Sequence, residues 1–134
     1  MKKINSICII DDDPITVFGI QKMLGLVTEY EELYKFVNGK AAIDEIIDML
    51  NNNTPLPQVI FLDINMPIMD GWQFLEEFIK LPIKETVRIN IVTSSIDDFD
   101  RNNWNHYKKQ THHLITFNNK PIKKEEMKQI TKVA

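Results

Sequence analysis

With 134 residues, 43% of them hydrophobic and 26% charged, the chain has the size and balance of one globular domain that needs no disulfide or metal to hold its core. A net charge of -3 supplies no global basic field for nucleic acid, one cysteine excludes an internal disulfide, and no apolar run approaches the roughly 20 residues that span a bilayer. The apolar run after Met1-Lys2-Lys3 soon ends in three aspartates, so it does not read as an export signal, and the expected location is the cytoplasm.

Ile7-Cys8-Ile9-Ile10 is a short apolar run bounded by polar residues, which reads as a buried strand with Cys8 as a structural thiol. Asp13-Pro14 then offers an N-cap and a proline at the first helical position, ahead of Val17, Ile20, Leu24 and Val27 at helical spacing. Residues 33–37 read as a second strand, and Asn38-Gly39 opens a helix with Ile43, Ile46, Ile47 and Leu50 on one face. After a loop at 51–57, Val59-Ile60-Phe61-Leu62 is a third strand ending at Asp63. Asp70-Gly71 opens a helix that buries Phe74, Leu75, Phe78 and Ile79 and closes by Pro82. Residues 89–93 form a fourth strand, 97–110 a weaker helix holding Trp104 and Tyr107, and 114–117 a fifth strand. Lys120-Pro121 leads to a last helix with Met127, Ile130 and Val133 at threefold spacing.

Five alternations of strand and helix, with strands that look buried on both faces, predict a doubly wound α/β domain with a parallel sheet. Sites in such sheets lie beyond the carboxyl ends of the strands. There the sequence puts Asp11, Asp12 and Asp13 after strand one, Asp63 after three, Thr93 after four and Lys120 after five. Two carboxylates about 4 Å apart repel by roughly 4 kcal/mol at an effective dielectric near 20, so this cluster calls for a cation or raised pKa values. Oxygen-only ligands favour a hard divalent ion, Mg2+ with Mn2+ as a substitute. With a lysine and a hydroxyl beside them, the carboxylates make a site for a phosphoryl group, and Asp63 is placed to be the nucleophile.

Over nearly its whole length the chain resembles response-regulator receiver domains of two-component signalling. The likeness is carried by Ile9-Ile10-Asp11-Asp12-Asp13-Pro14, Asn38-Gly39-Lys40-Ala41-Ala42, Leu62-Asp63-Ile64-Asn65-Met66-Pro67-Ile68-Met69-Asp70-Gly71, Val92-Thr93-Ser94 and Lys120-Pro121. The resemblance implies a flavodoxin-like (βα)5 fold with strand order 2-1-3-4-5. It also implies that Asp63 is the phosphoacceptor, that Asp11, Asp12, Asp63 and the Asn65 backbone carbonyl hold Mg2+, that Thr93 is the switch hydroxyl and that Lys120 is the phosphate-binding cation. The implied donor is a phosphohistidine on a sensor histidine kinase or a histidine phosphotransfer protein. The implied output is a change in the surface of the fourth helix, fifth strand and fifth helix, read by a downstream protein or a phosphorylation-dependent dimer. Such a protein is not an enzyme beyond its own phosphorylation and dephosphorylation. Phe117 holds the position of the aromatic that turns inward on activation, without the hydroxyl of the tyrosine often found there.

Other readings stand beside these. A row of aspartates before a helix is also a cap, and Asp13 is read that way. His106, His112 and His113 lack the spacing of a metal site and are read as solvated. Trp72 reads as packing at a helix start, and Trp104 and Tyr107 as a partner surface or a lid on the core. Lys123, Lys124, Lys128 and Lys132 read as a solvated face. The 27 positions from Thr93 to Lys120, and Thr111-His112-His113 where Gly-Ala is common, depart from the family pattern. Asn65 and Ser95 are expected to influence phosphoryl lifetime. The expected organisation is a single stand-alone domain over 1–134 without an output domain. An aspartyl-phosphate phosphatase of the haloacid-dehalogenase kind is the enzyme rival, although Asn65 stands where that family wants an acid. A pure interaction module with a vestigial site is the third reading.

Overall fold

The apolar runs set the sheet, and the polar residues between them set where each chain segment turns. A computed structural model describes residues 3–94 and 97–134. Strands β1 (Ile4–Ile10), β2 (Tyr30–Phe36), β3 (Val59–Leu62), β4 (Arg88–Thr93) and β5 (Leu114–Asn119) alternate with helices α1 (Pro14–Val27), α2 (Gly39–Asn51), α3 (Gly71–Ile79), α4 (Asp98–Lys108) and α5 (Lys124–Ile130). Every strand pair is parallel and the order is β2-β1-β3-β4-β5, which is the doubly wound flavodoxin-like arrangement.

Strand alternation divides the interior into two cores. On one side Cys8, Ile10, Ile60, Leu62, Ile89 and Ile91 pack with α2 and α3. On the other, Ile7, Ile9, Val59, Phe61 and Val92 pack with Ile20 and Leu24 of α1 and Met127 and Ile130 of α5. Burial of such a side chain contributes about 1.5–3 kcal/mol, so a polar residue in a central strand must be fully satisfied. Asn90 in β4 meets that demand. Its Nδ2 donates to the Ile130 carbonyl (2.7 Å), and its Oδ1 accepts from the Thr116 hydroxyl (2.8 Å).

Several expectations need correction. Only the inner strands are buried on both faces. β2 has a largely exposed face, and its start at Tyr30 rather than 33 follows from backbone pairing with β1, where Glu31 and Glu32 need no burial. β1 likewise begins at Ile4 rather than 7, and β5 runs on to Asn119. Ile47 is exposed rather than core, Met49 is buried instead, and Leu50 packs against the core as expected. α5 stops at Ile130, short of Val133. The Thr131 hydroxyl turns back to the Met127 carbonyl (2.7 Å), and Arg88 Nε donates to the Lys132 carbonyl (2.9 Å).

His113 is not solvated. It is buried, its Nδ1 accepts the Val87 N–H (2.9 Å), and its ring centroid lies 5.1 Å from that of Phe78. Trp72 is a packing residue as expected. Trp104 and Tyr107 are lids on the core rather than free surface, since both pack against the α2–α3 side and Trp104 Nε1 donates to the Ile115 carbonyl (2.9 Å). No helix among the described residues is long and apolar enough to cross a membrane.

Candidate functional site

At the carboxyl ends of β1 and β3 the chain leaves the sheet at Asp11 and Asp63, and the two backbones are tied together there. The Asp63 N–H donates to the Ile10 carbonyl (2.9 Å), while the Asp11 N–H donates to the Phe36 carbonyl of β2 (3.0 Å). Both residues are buried, Asp11 at 3% exposure and Asp63 at 7%, and Asp12 beside them is exposed. One carboxylate oxygen from each of Asp11, Asp12 and Asp63 lies within 4.8 Å of the others.

Lys120 enters from the end of β5. Its main-chain N–H donates to the Thr93 carbonyl (2.8 Å), which binds the ends of β4 and β5, and the Lys120-Pro121 peptide is cis. Its ammonium lies 3.1 Å from Asp11 Oδ2 and 3.5 Å from Asp63 Oδ1. Asp11 is further oriented by the Asp13 N–H on its Oδ1 (2.9 Å), and Asp63 Oδ1 accepts the Ile64 N–H (2.9 Å). Asp13 itself caps α1, accepting from the Ile15 N–H and the Thr16 hydroxyl, as expected.

These contacts set the charge states. Burial, and then the negative charge of Asp11, push the Asp63 carboxyl up to about 6, against the pull of Lys120. Burial pulls the Lys120 ammonium down, but Asp63 and Asp11 together outweigh it and hold its pKa above the usual lysine value. Asp63 is therefore largely ionised at neutral pH and basic enough to act as a nucleophile. Three carboxylates against one ammonium leave net negative charge, and an all-oxygen donor set of this kind fits a hard divalent cation.

The backbone behind Asp63 leaves no room for side chains. A Cβ at Gly71 would stand 2.5 Å from the Asp63 carbonyl oxygen and 2.9 Å from Ile64 Cα, and the Gly71 N–H donates to the Ile64 carbonyl (2.9 Å). Ile68, in the loop between β3 and α3, has φ 71°. Thr93 is fully buried at the end of β4. Asn65 is exposed two residues beyond Asp63, and Ser95 lies outside the described residues.

Phe117 lies apart from the carboxylates, on the α2–α3 side of the sheet. Its ring is 6.4 Å from that of Trp72, edge-on, and 5.6 Å from that of Trp104. Trp72 stacks on Tyr107 (6.1 Å, 13° between planes), and its Nε1 donates to Asp100 Oδ1 (3.1 Å). The sequence reading missed the roles of Asp100 and His113, although both carried a signal. Asp100, Trp104 and Tyr107 share one helical face, and His113 has the same strand parity as Ile115 and Phe117.

Comparison with known proteins gives a consistent picture. A family model described as response regulator receiver domain matches residues 7–132. A two-component response regulator from Cytophaga hutchinsonii has a TM-score of 0.81 at 25% identity, over 96% of this chain and 95% of that one. The Mn(2+)-bound form of the response regulator Rcp1 has a TM-score of 0.71 at 22% identity, over 94% and 88%. A chain of the CheX-CheY-BeF3-Mg+2 complex from Borrelia burgdorferi shares the fold, with a TM-score of 0.73 at 18% identity over 93% and 84%. By sequence, a protein-glutamate methylesterase/protein-glutamine glutaminase of Methanococcoides burtonii is 33% identical over 72 residues. That match covers 54% of this chain and 19% of the relative's length.

Proposed function

The chain belongs to the response regulator receiver domain family, and from that premise we propose that it accepts a phosphoryl group on Asp63 from a phosphohistidine and signals the change to a partner protein. The observation that carries this reading is the buried Asp63 carboxylate held 3.5 Å from the Lys120 ammonium beside Asp11 and Asp12. In the proposed step an Asp63 oxygen attacks phosphorus, the P–N bond to the donor imidazole breaks, and the electron pair returns to that ring, which takes up a proton. Lys120 neutralises one equatorial oxygen, and the Thr93 hydroxyl offers a hydrogen bond to another.

Asp11, Asp12, Asp63 and the Asn65 backbone carbonyl would hold Mg2+, or Mn2+ in its place, which neutralises charge on the transferring group when bound. A protein donor, either a sensor kinase or a phosphotransfer protein, is supported by the exposed apolar side chains around the acidic pocket. Ile15 and Phe18 on α1, Ile68 after β3 and Phe99 on α4 all sit on segments at this edge of the sheet. The output surface would be α4, β5 and α5, with Thr93 and Phe117 as the moving parts and a downstream protein or a second copy as reader.

The test is incorporation of label from acetyl phosphate in the presence of Mg2+. The native chain should be labelled and Asp63→Asn should not, while Lys120→Ala should lose about tenfold or more in rate, as expected for removal of one charged hydrogen-bond donor. Equal labelling of the native chain and Asp63→Asn would overturn the reading.

A further inference from the structure

Helices α3 and α4 both start on the side of the sheet that carries the candidate site, and α3 is fixed to the end of β3. α3 begins at Gly71, whose backbone is pressed on Asp63 and Ile64, so the next residue, Trp72, is rigidly referenced to the proposed phosphoacceptor. α4 begins after its N-cap, Asp97. Asp97 accepts the Asp100 N–H (2.8 Å), which ties the cap to the first turn of α4.

One side-chain bond closes this circuit. Trp72 Nε1 donates to Asp100 Oδ1 across the α3–α4 interface, with Trp72 at 7% exposure and Asp100 at 8%. An indole donor is a modest partner for a buried carboxylate, and Asp97 places a like charge beside it on the same turn. The bond ties the first turn of α4 to the start of α3. The Phe117 ring packs on Trp72 of α3 and on Trp104 of α4, so it touches both sides of the same interface.

Resting on the phosphoacceptor reading, we propose that the Trp72–Asp100 bond is a latch holding the first turn of α4 in its resting seat, and that occupation of the Asp63 site releases it. By linkage, breaking the bond must favour whichever ligand binds the released arrangement. The latch therefore opposes phosphorylation and sets how easily the site switches.

The experiment compares the native chain with Trp72→Phe, Asp100→Ala and Asp100→Asn. It measures hydrogen exchange of the α4 amides without ligand, and binding of beryllofluoride with Mg2+ by calorimetry. Trp72→Phe and Asp100→Ala should each exchange faster in the first turn of α4 and bind beryllofluoride about three- to tenfold more tightly, the worth of one net hydrogen bond. Asp100→Asn keeps an acceptor for the indole and should exchange no faster than the native chain, which separates the bond from simple packing. Native-like exchange and binding in folded Trp72→Phe and Asp100→Ala would overturn the latch. If the native chain binds no beryllofluoride, the phosphoacceptor reading fails. Unliganded exchange then still decides whether Trp72 and Asp100 restrain α4, while the regulatory role falls.

Discussion

His113 is packed against Phe78 and His112, and its Nδ1 accepts a backbone N–H, so protonation both charges a buried ring and breaks a hydrogen bond. Burial, and then the neighbouring His112, pull its pKa down to about 4. A depressed base takes up protons more readily when unfolded, so its stabilising contribution is complete above about 6.5 and is lost as pH falls through 4. Asp63 acts in the opposite sense. Its carboxyl is raised to about 6, the folded chain holds that proton more tightly, and its contribution to stability falls as pH rises from about 4 to 6. Each shift corresponds to about 3 kcal/mol as an upper limit, and the two run in opposite directions, so the native chain should show a flat stability profile from pH 4 to 6. Thermal melts should unmask the pair. Asp63→Asn should melt higher than the native chain at pH 7.5, with the difference shrinking toward pH 4. His113→Asn should be less sensitive to acid than the native chain.

Helix starts show how closely local sequence and site geometry are joined. Asp13, Asn38, Asp70 and Asp97 each cap a helix with a side-chain oxygen, and all four lie at the edge of the sheet that carries the carboxylates. Asp97→Ala should cost about 1 kcal/mol by chemical denaturation, as for other N-caps, and should raise exchange in α4 selectively. Gly71→Ala drives a methyl into the backbone of Asp63, where no flexible side chain can yield. It should cost about 1–3 kcal/mol and depress labelling of Asp63 more than its loss of stability explains. The capped starts and the apolar runs of β1, β3 and β4 were readable in the sequence because local chemistry dictates them. The first residues of β2 were not, since Tyr30-Glu31-Glu32 joins the sheet only through pairing with β1. Nor was the end of α5, where the Ile130 carbonyl and that of Lys132 just beyond are taken by Asn90 and Arg88, 40 or more positions away.

Taken as a whole molecule, the chain concentrates negative charge at one end of a sheet whose two faces are sealed by separate cores. A divalent cation that binds there only in the folded state must raise stability by mass action. A hundredfold excess of Mg2+ over its Kd should add about 2.7 kcal/mol and raise Tm by several degrees, and Asp12→Asn should lose most of that gain. The strand-end logic let Asp11, Asp12, Asp63, Thr93 and Lys120 be picked from sequence, because a parallel sheet has one functional edge. Phe117 was singled out only through the family resemblance, and its surroundings were not readable. Trp72, Trp104 and Tyr107 come from two other elements, and only the folded interface shows them meeting.

That aromatic meeting point also makes the protein its own optical gauge. Its two tryptophans both pack on Phe117, one stacked on a tyrosine with its N–H on a carboxylate, the other under the Lys108 ammonium at 3.8 Å from the ring centre. Indole emission is sensitive to nearby charge and ring-ring coupling shapes the near-ultraviolet dichroism, so the two chromophores should respond differently to the proposed turn of Phe117. A spectrometer could then follow the state of Asp63 in real time, with no dye attached.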